Sequence, residues 1–381
     1  MDLSGFEYLV VGAGISGATV ARRLVERGKN VAVIEKSDRI GGLCQTFVDP
    51  DSGVECHTFG SHILHSKDLQ AIGFLSRFCR LNHYRHRVFA KIGQQVYPFP
   101  INLQTINQFF GLGFNPDGAR KLLKVMASQN EFNLAEPVDR KKLPEPQTPT
   151  NFQEACIFQM GVPLYETFVK GYSVKQWGVP PEQLPVSLLN RIPVRFSYHA
   201  DYFDDSWQGI PIGGYNDLFS RLLTGITSFL SVDYLKVRES IRSNPITVYT
   251  GPLDEYFNFR FGPLPWRSVG LEFETVNTKD YQGCSVINYP SDEIPFTRIH
   301  EFRHLHPERR ASYRKTTIAR EYPSGDGIPA YPVSPDGDLA QRYRLAASLE
   351  KNIHFCGRLG TYRYLNMDQA VMEALALAER I

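Results

Sequence analysis

The first 35 residues constrain this chain more than any other segment. Tyr8-Leu9-Val10-Val11 is a short apolar run stopped by Gly12, the pattern of a parallel strand buried on both faces. Gly12-Ala13-Gly14-Ile15-Ser16-Gly17 follows, and Ala18, Ala21, Leu24 and Val25 then fall on one helical stripe that ends at Gly28. Asn30 to Ile34 is a second apolar strand, closed by Glu35. A G-x-G-x-x-G turn between a strand and a helix, with an acid ending the next strand, predicts a dinucleotide-binding βαβ unit. In it Gly12 makes the tight turn, Gly14 lets backbone approach a pyrophosphate, and Gly17 lets the helix pack on the strand. Free N–H groups at the helix start favour the anion, and Glu35 stands where a carboxylate accepts ribose hydroxyls. A glycine-rich turn with no ligand is the plainer alternative; context, spacing and acid together argue against it.

A second glycine pair, Gly41-Gly42, lies a few residues beyond Glu35. It resembles the extended fingerprint of the glutathione-reductase-like FAD enzymes, where it brings more backbone to the dinucleotide, and it favours FAD over NAD. At 381 residues the chain is long enough for about two to three domains. The fold class expected is α/β: an FAD-binding Rossmann-like (glutathione-reductase-like) domain with a helical insert domain and an antiparallel β-sheet domain.

Charge and cysteine usage exclude several classes. Lys+Arg 42 against Asp+Glu 40 leaves +2, which provides no footprint for nucleic acid or an anionic membrane. The basic run Arg303 to Lys315 has Glu308 and two histidines mixed in and reads as a solvated loop or edge. The six cysteines include no C-x-x-C pair, so buried free thiols in a reducing cytoplasm are expected. The longest uncharged stretch, Ile92 to Pro116, contains prolines, asparagines and glutamines and fails as a membrane span. With no signal-peptide pattern at the start, the expected location is cytoplasmic.

Further along, Phe99 to Gln108 shows turn and apolar signals without a clear period. Leu122, Leu123 and Met126 predict a helix within Asn115–Asn130, and Glu136 to Thr150 reads as a proline-rich loop. Asn151-Phe152-Gln153-Glu154 predicts a capping box opening a helix to Gly161, with Pro163 starting another that runs to Gly171. Tyr215, Leu218, Phe219, Leu222 and Leu223 predict an amphipathic helix, Ile246 to Thr250 a strand, and Ser268 to Tyr322 a β region. Ile353 to Cys356 is a short strand, and Met367 to Ala378 a long last helix with Asn366 at its N-cap. The expected division is 1–75, 208–255 and 345–381 for the FAD domain, 103–188 for the helical domain, and 76–102, 189–207 and 256–344 for the sheet domain.

Six runs carry a closer resemblance: Gly60–His65, Lys170–Gly178, Asn190–Phe196, Gln208–Tyr215, Phe296–Ile299 and Gly357–Tyr364. In this order they resemble UDP-galactopyranose mutases of the prokaryotic type, over nearly the whole chain. The resemblance implies a flavoenzyme that interconverts UDP-galactopyranose and UDP-galactofuranose. Reduced FAD would attack the anomeric carbon through N5 and release UDP; the sugar would open through a flavin iminium and reclose through its other hydroxyl.

By the same resemblance Arg191 and Arg298 flank the diphosphate, and His62 lies beside the isoalloxazine. Tyr202, Tyr331 and Tyr364 would bond the phosphates, and Tyr172 and Asn288 the uridine. Trp177 would lie in a mobile loop that closes on substrate. Ser16, Glu35, Lys36, Gly42, Leu43, Thr58, Phe59 and Arg358 would contact FAD, with Asn366, Met367, Asp368 and Ala370 near the flavin from the last helix. His62 and His65 could alone be read as a metal pair, but no third ligand is marked, so no metal is expected. The chain departs from the family pattern at Asn366, usually Asp, at Ala330, often Tyr, and at His86, Asn in some members. Expected partners are a UDP-sugar, an unidentified electron donor for FAD and further copies of the chain in a homo-oligomer. An FAD oxidase or desaturase, a mutase for another UDP-sugar such as UDP-N-acetylgalactosamine, and a flavin-binding protein without turnover remain as alternatives.

Overall fold

Five short strands form an all-parallel sheet in the order Ile353–Phe355, Ile246–Tyr249, Tyr8–Val11, Val31–Ile34, Thr227–Phe229. The structure is a computed structural model that describes residues 2–127 and 148–381. Tyr8–Val11 and Val31–Ile34 are buried throughout, which is why they carry apolar side chains without alternation. Their side chains still divide by period two. Val10, Val33 and Val248 point into one core with the helices Ile15–Glu26 and Met367–Arg380, while Leu9, Val11, Ala32, Ile34 and Tyr249 point into another.

A seven-stranded sheet follows, in the order Tyr331–Pro332, Trp266–Val276, Thr316–Ser324, Arg298–Glu301, Val286–Asn288, Val88–Ile92, Gln95–Phe99. It is antiparallel with one correction: Val286–Asn288 pairs parallel with Val88–Ile92. The chain between these two strands passes through the helical region rather than a hairpin, and a parallel pair requires such a crossover.

The helical region contains Leu103–Phe110, Pro116–Ala127 and Phe152–Leu164. The first lies where no period was legible; Asn102 caps it in a box with Thr105. Asn151 caps the third through the Glu154 N–H, but Glu154 turns its carboxylate to the Thr150 N–H, 2.8 Å away, so the box is only half made. Residues 136–147 of the expected loop and the end of the Asn115–Asn130 prediction lie outside the described residues. The expected break at Gly161 is present, at φ 77 and ψ 160. The expected stop at Gly171 is not. A π-helical stretch, Tyr165–Lys170, leads straight into the helix Gly171–Trp177, which ends at Gly178. Gly171 is there for close approach: a Cβ would lie 2.3 Å from the Pro290 carbonyl oxygen.

The basic run also differs from expectation. Arg303, His304 and His306 are buried: Glu301, three residues back, lies 3.4 Å from His304, Glu55, on another strand, lies 3.4 Å from His306, and Arg303 donates to the Arg310 carbonyl at 3.1 Å. Arg309 and Arg310 remain outside the core.

Gly161 supplies the test of the helical architecture. Its backbone lies in a region essentially reserved for glycine, and a Cβ would stand 2.6 Å from the Met126 Cβ. Gly161→Ala is expected to cost about 2 kcal/mol or more of stability, seen as a lower Tm, with FAD binding unchanged. An unaltered melting curve would refute the packing argument.

Candidate functional site

The glycine turn closes as its sequence requires. Gly17 has no room for a Cβ, which would lie 1.9 Å from the Gly12 carbonyl oxygen, so the helix start lies directly on the turn. Glu35 is buried at the end of its strand. Its Oε2 accepts from the Ala13 N–H at 2.8 Å and its Oε1 from the Ser37 N–H at 2.9 Å. Gly42 reaches over the turn: a Cβ there would lie 3.0 Å from the Gly14 Cα. Any side chain at this pair would fill the trough along which a pyrophosphate passes, so the residues present fit a dinucleotide.

Gly12, Gly14, Ser16, Glu35, Lys36, Gly42, Leu43, Phe59, His62, Arg358, Asn366, Met367 and Ala370 line one continuous cleft. Gly17 lies beneath it. Thr58 and Asp368 do not line it: the Asp368 carboxylate faces the other way and accepts from the Ser66 hydroxyl at 2.9 Å. Asn366 occupies the N-cap, its N–H donating to Gln369 Oε1 at 2.9 Å, and it lines the cleft from there. Thr250 was missed in the sequence. Its hydroxyl donates to the Val11 carbonyl at 2.7 Å and ties a distant strand to the turn. The strand ending at Gly251 was a signal that could have found it.

At the far end of the cleft His62 Nδ1 lies 2.8 Å from the Gly60 carbonyl. That acceptor assigns the proton to Nδ1 and leaves Nε2 as an acceptor. Burial, with Arg358 and His300 nearby, lowers its pKa to about 4 despite the Gly60 carbonyl, so the ring is neutral at pH 7. His65 instead stacks on Phe203 at 3.7 Å and bonds Asp205, so the two histidines have separate partners.

The expected substrate residues gather beside Arg358. Its guanidinium donates to the carbonyls of Leu365 and Ala330 and lies 4.8 Å from the Tyr364 ring. Tyr364 and Tyr331 stack at 5.9 Å, and Arg191 donates to the Tyr364 hydroxyl at 2.7 Å from above its ring. Burial would raise the Tyr364 pKa, but Arg191, Arg358 and Arg298 outweigh it and lower it. Arg298 donates to the Tyr172 hydroxyl and forms an ion pair with Glu321 at 3.1 Å. The Arg298 Nε–H has no aligned acceptor, so this contact is Coulombic rather than a formed hydrogen bond. Asn288 stands opposite Arg298 on the neighbouring strand, buried, with its Oδ1 unpaired. Tyr202 packs on His86 with rings 5.4 Å apart.

Trp177 is not in a loop. It is the last residue of the helix Gly171–Trp177 and is 7% exposed. Lys175, which sequence reasoning passed over, holds this helix to the connection between two sheet strands: its ammonium, with three donors, lies within 3.2 Å of the carbonyl oxygens of Tyr289, Ser291, Ile294 and Phe296. Glu321 was also missed; only its pairing with Arg298 marks it, and that pairing spans two strands.

Four histidines with lowered pKa values set a pH dependence. Burial lowers the pKa of His57, His62, His86 and His300, to about 4 for His62 and about 3 for His86. Below about pH 6.5 the unfolded chain binds protons that the folded chain excludes, so stability falls with pH through this window. The Tm is expected to drop from pH 7 to pH 4, and a flat profile would contradict neutral burial.

The family model described as UDP-galactopyranose mutase matches residues 167–364, and that of the NAD(P)-binding Rossmann-like domain residues 10–78. A protein of Klebsiella pneumoniae named "Probable UDP-galactopyranose mutase" is 37% identical over 97% of this chain and 93% of its own. The dTDP-fucopyranose mutase of Escherichia coli is 35% identical over 98% of this chain and 97% of its own. A solved structure of reduced UDP-galactopyranose mutase superposes with a TM-score of 0.72 at 17% identity, over 98% of this chain and 93% of that one. The chain carries an FAD-binding Rossmann domain and belongs to the UDP-galactopyranose mutase family.

Proposed function

We propose that the protein interconverts UDP-galactopyranose and UDP-galactofuranose with reduced FAD in the glycine-lined cleft. The observation that carries this reading is the pair of arginines, Arg191 and Arg298, each bonded to a tyrosine hydroxyl beside that cleft. A diphosphate leaving group needs fixed cations, and guanidinium keeps its charge and offers two parallel donors. An amine or polyene oxidase has no use for them.

Held by the glycine-lined cleft, reduced FAD would supply the nucleophile for the exchange of ring form. The chain's own residues handle the rest. Arg191 and Arg298, with Tyr202, Tyr331 and Tyr364, hold UDP after the glycosyl bond breaks, so its return is effectively intramolecular. Tyr172 provides a ring for the base, and the unpaired Asn288 Oδ1 accepts the N3–H of a uracil. Neutral His62 puts no cation against the reacting sugar. All six cysteines are unpaired, which supports a reducing cytoplasm with an electron donor for FAD. Among the described residues no helix is long and apolar enough to cross a membrane.

A second substrate is favoured by one observation. The dTDP-fucopyranose mutase is nearly as similar as the UDP-galactopyranose mutase, 35% against 37%. Thymine carries the same N3–H that Asn288 would accept.

The test is turnover of UDP-galactofuranose and dTDP-fucofuranose by dithionite-reduced and by oxidised enzyme, with separation of the nucleotide sugars. Turnover of the UDP-sugar only in the reduced state is expected; preference for the dTDP-sugar would move the assignment to the second substrate. Arg191→Ala and Arg298→Ala are each expected to lose about 100-fold or more in kcat/KM while retaining FAD. Unchanged kinetics per bound FAD would refute the phosphate role.

A further inference from the structure

We propose that His300 is a positioning residue that joins the loop Gly60–His62, on the FAD side of the site, to Arg298, on the diphosphate side. The inference rests on the mutase reading for the roles of these two sides. Ser61 Oγ lies 2.8 Å from His300 Nδ1, and His300 Nε2 lies 2.9 Å from Glu321 Oε2. The other carboxylate oxygen of Glu321 pairs with Arg298 at 3.1 Å, and Arg298 donates to Tyr172. One chain of contacts therefore runs from the loop that presents His62 to the cation and ring expected to take the nucleotide.

The sheet register builds it. Arg298 and Glu321 are direct cross-strand partners, and His300, two residues on, shares their face. The residue opposite His300 is Ala319, too short to compete for the space. Gly60 brings the loop in: a Cβ there would lie 3.4 Å from Glu321 Oε2. His300 is 1% exposed and Glu321 4%, so water does not compete for their bonds.

The proton positions follow from the partners. Glu321 is ionised, since burial alone would raise its pKa but Arg298 and His300 hold it at about 2. His300 must then donate from Nε2, and its Nδ1 accepts from the Ser61 hydroxyl. In hydrolase triads serine faces Nε2 and the acid Nδ1. Here the nitrogens are exchanged, and the acid is shared with Arg298 and with Thr297, 3.2 Å away. The arrangement orients; it does not generate a nucleophile.

Two links can be cut separately. Ser61→Ala releases the loop and leaves Glu321 bonded. His300→Leu releases both ends. His300→Gln can place its amide N–H where Nε2 met Glu321, but it has no acceptor at the position of Nδ1, to which Ser61 donates. On FAD-loaded enzyme, UDP affinity is read by calorimetry, and kcat and KM by the reduced assay. Ser61→Ala is expected to lower kcat about fivefold with the Kd for UDP within about twofold of wild type. His300→Leu should weaken UDP about tenfold and lower kcat, and His300→Gln should restore the UDP affinity but not kcat. The Ser61→Ala/His300→Leu double variant should be no slower than His300→Leu. Multiplicative losses in the double variant, or a wild-type Kd for UDP in His300→Leu, would overturn the link. If His300→Leu does not fold, Ser61→Ala and His300→Gln carry the comparison. Wild-type enzyme without turnover would sink the mutase reading alone, because the UDP titrations of the variants still decide whether His300 supports Arg298.

Discussion

The carboxylate of Glu35 is the constraint from which the cofactor side follows. Parallel strands end together, and at their C-terminal ends backbone N–H groups lose their sheet partners. Glu35 takes two of them, from Ala13 and Ser37, and so fixes the first turn to the end of the second strand. The Gly41 N–H donates to the Ala13 carbonyl at 2.9 Å, which docks the second glycine turn on the first. Thr250 then attaches a distant strand to the same turn, 239 positions from Val11. With the turn fixed, backbone rather than side chains forms the floor of the cleft, and only a ligand with a narrow, anionic middle fits along it.

The substrate side solves a different problem, that of holding several guanidinium groups close together. Each is anchored differently. Arg358 is anchored by the main-chain carbonyls of Leu365 and Ala330. Arg298 is paired with a buried carboxylate. Arg191 is held by a phenol hydroxyl and ring, 4.2 Å from the centroid of Tyr364. A ring attracts the cation without neutralising it, so Arg191 keeps its full charge for an anion. The aromatic richness of the chain, Tyr 19 and Phe 25, has one physical use here. The same cations lower the Tyr364 pKa against burial, and this would strengthen its hydroxyl as a donor in the phosphate role proposed for it.

What the sequence showed, and what it hid, divides along local and distant contacts. The first βαβ unit, the break at Gly161 and the last helix were legible because capping, glycine and period act within a few residues. Gly171 was misread as a stop because its reason is the Pro290 carbonyl, far along the chain. The parallel pair of Val88–Ile92 with Val286–Asn288 carries no local mark. Buried His306 looked like surface for the same reason: Glu55, one of its acids, lies on another element. At the site, Arg191, Arg298 and the tyrosines were legible only through the family resemblance, while Ser61, His300 and Glu321 depend on a register that no short motif encodes. Asp368 fell on the wrong side of its helix because nearness in sequence to Met367 and Ala370 does not fix which face a residue takes.

The near-equal likeness to a UDP-galactose and a dTDP-fucose mutase has a chemical explanation. Exchange of pyranose for furanose moves the ring closure at C1 from one sugar hydroxyl to its neighbour. The exocyclic carbon, where fucose lacks an oxygen, takes no part. Nor does the nucleotide beyond its diphosphate, where thymidine adds a methyl group and lacks a hydroxyl. The machinery that the reaction needs is therefore the FAD cleft, the arginines and their anchors, and these would serve either substrate equally. In the role proposed for it, Asn288 would read an N3–H that uracil and thymine share and that cytosine lacks, and so would select a base class without dividing it. Discrimination has to come from groups that would be left unpaired by the wrong sugar, since a polar group built to meet a hydroxyl rejects its absence far more strongly than an apolar wall rejects its presence.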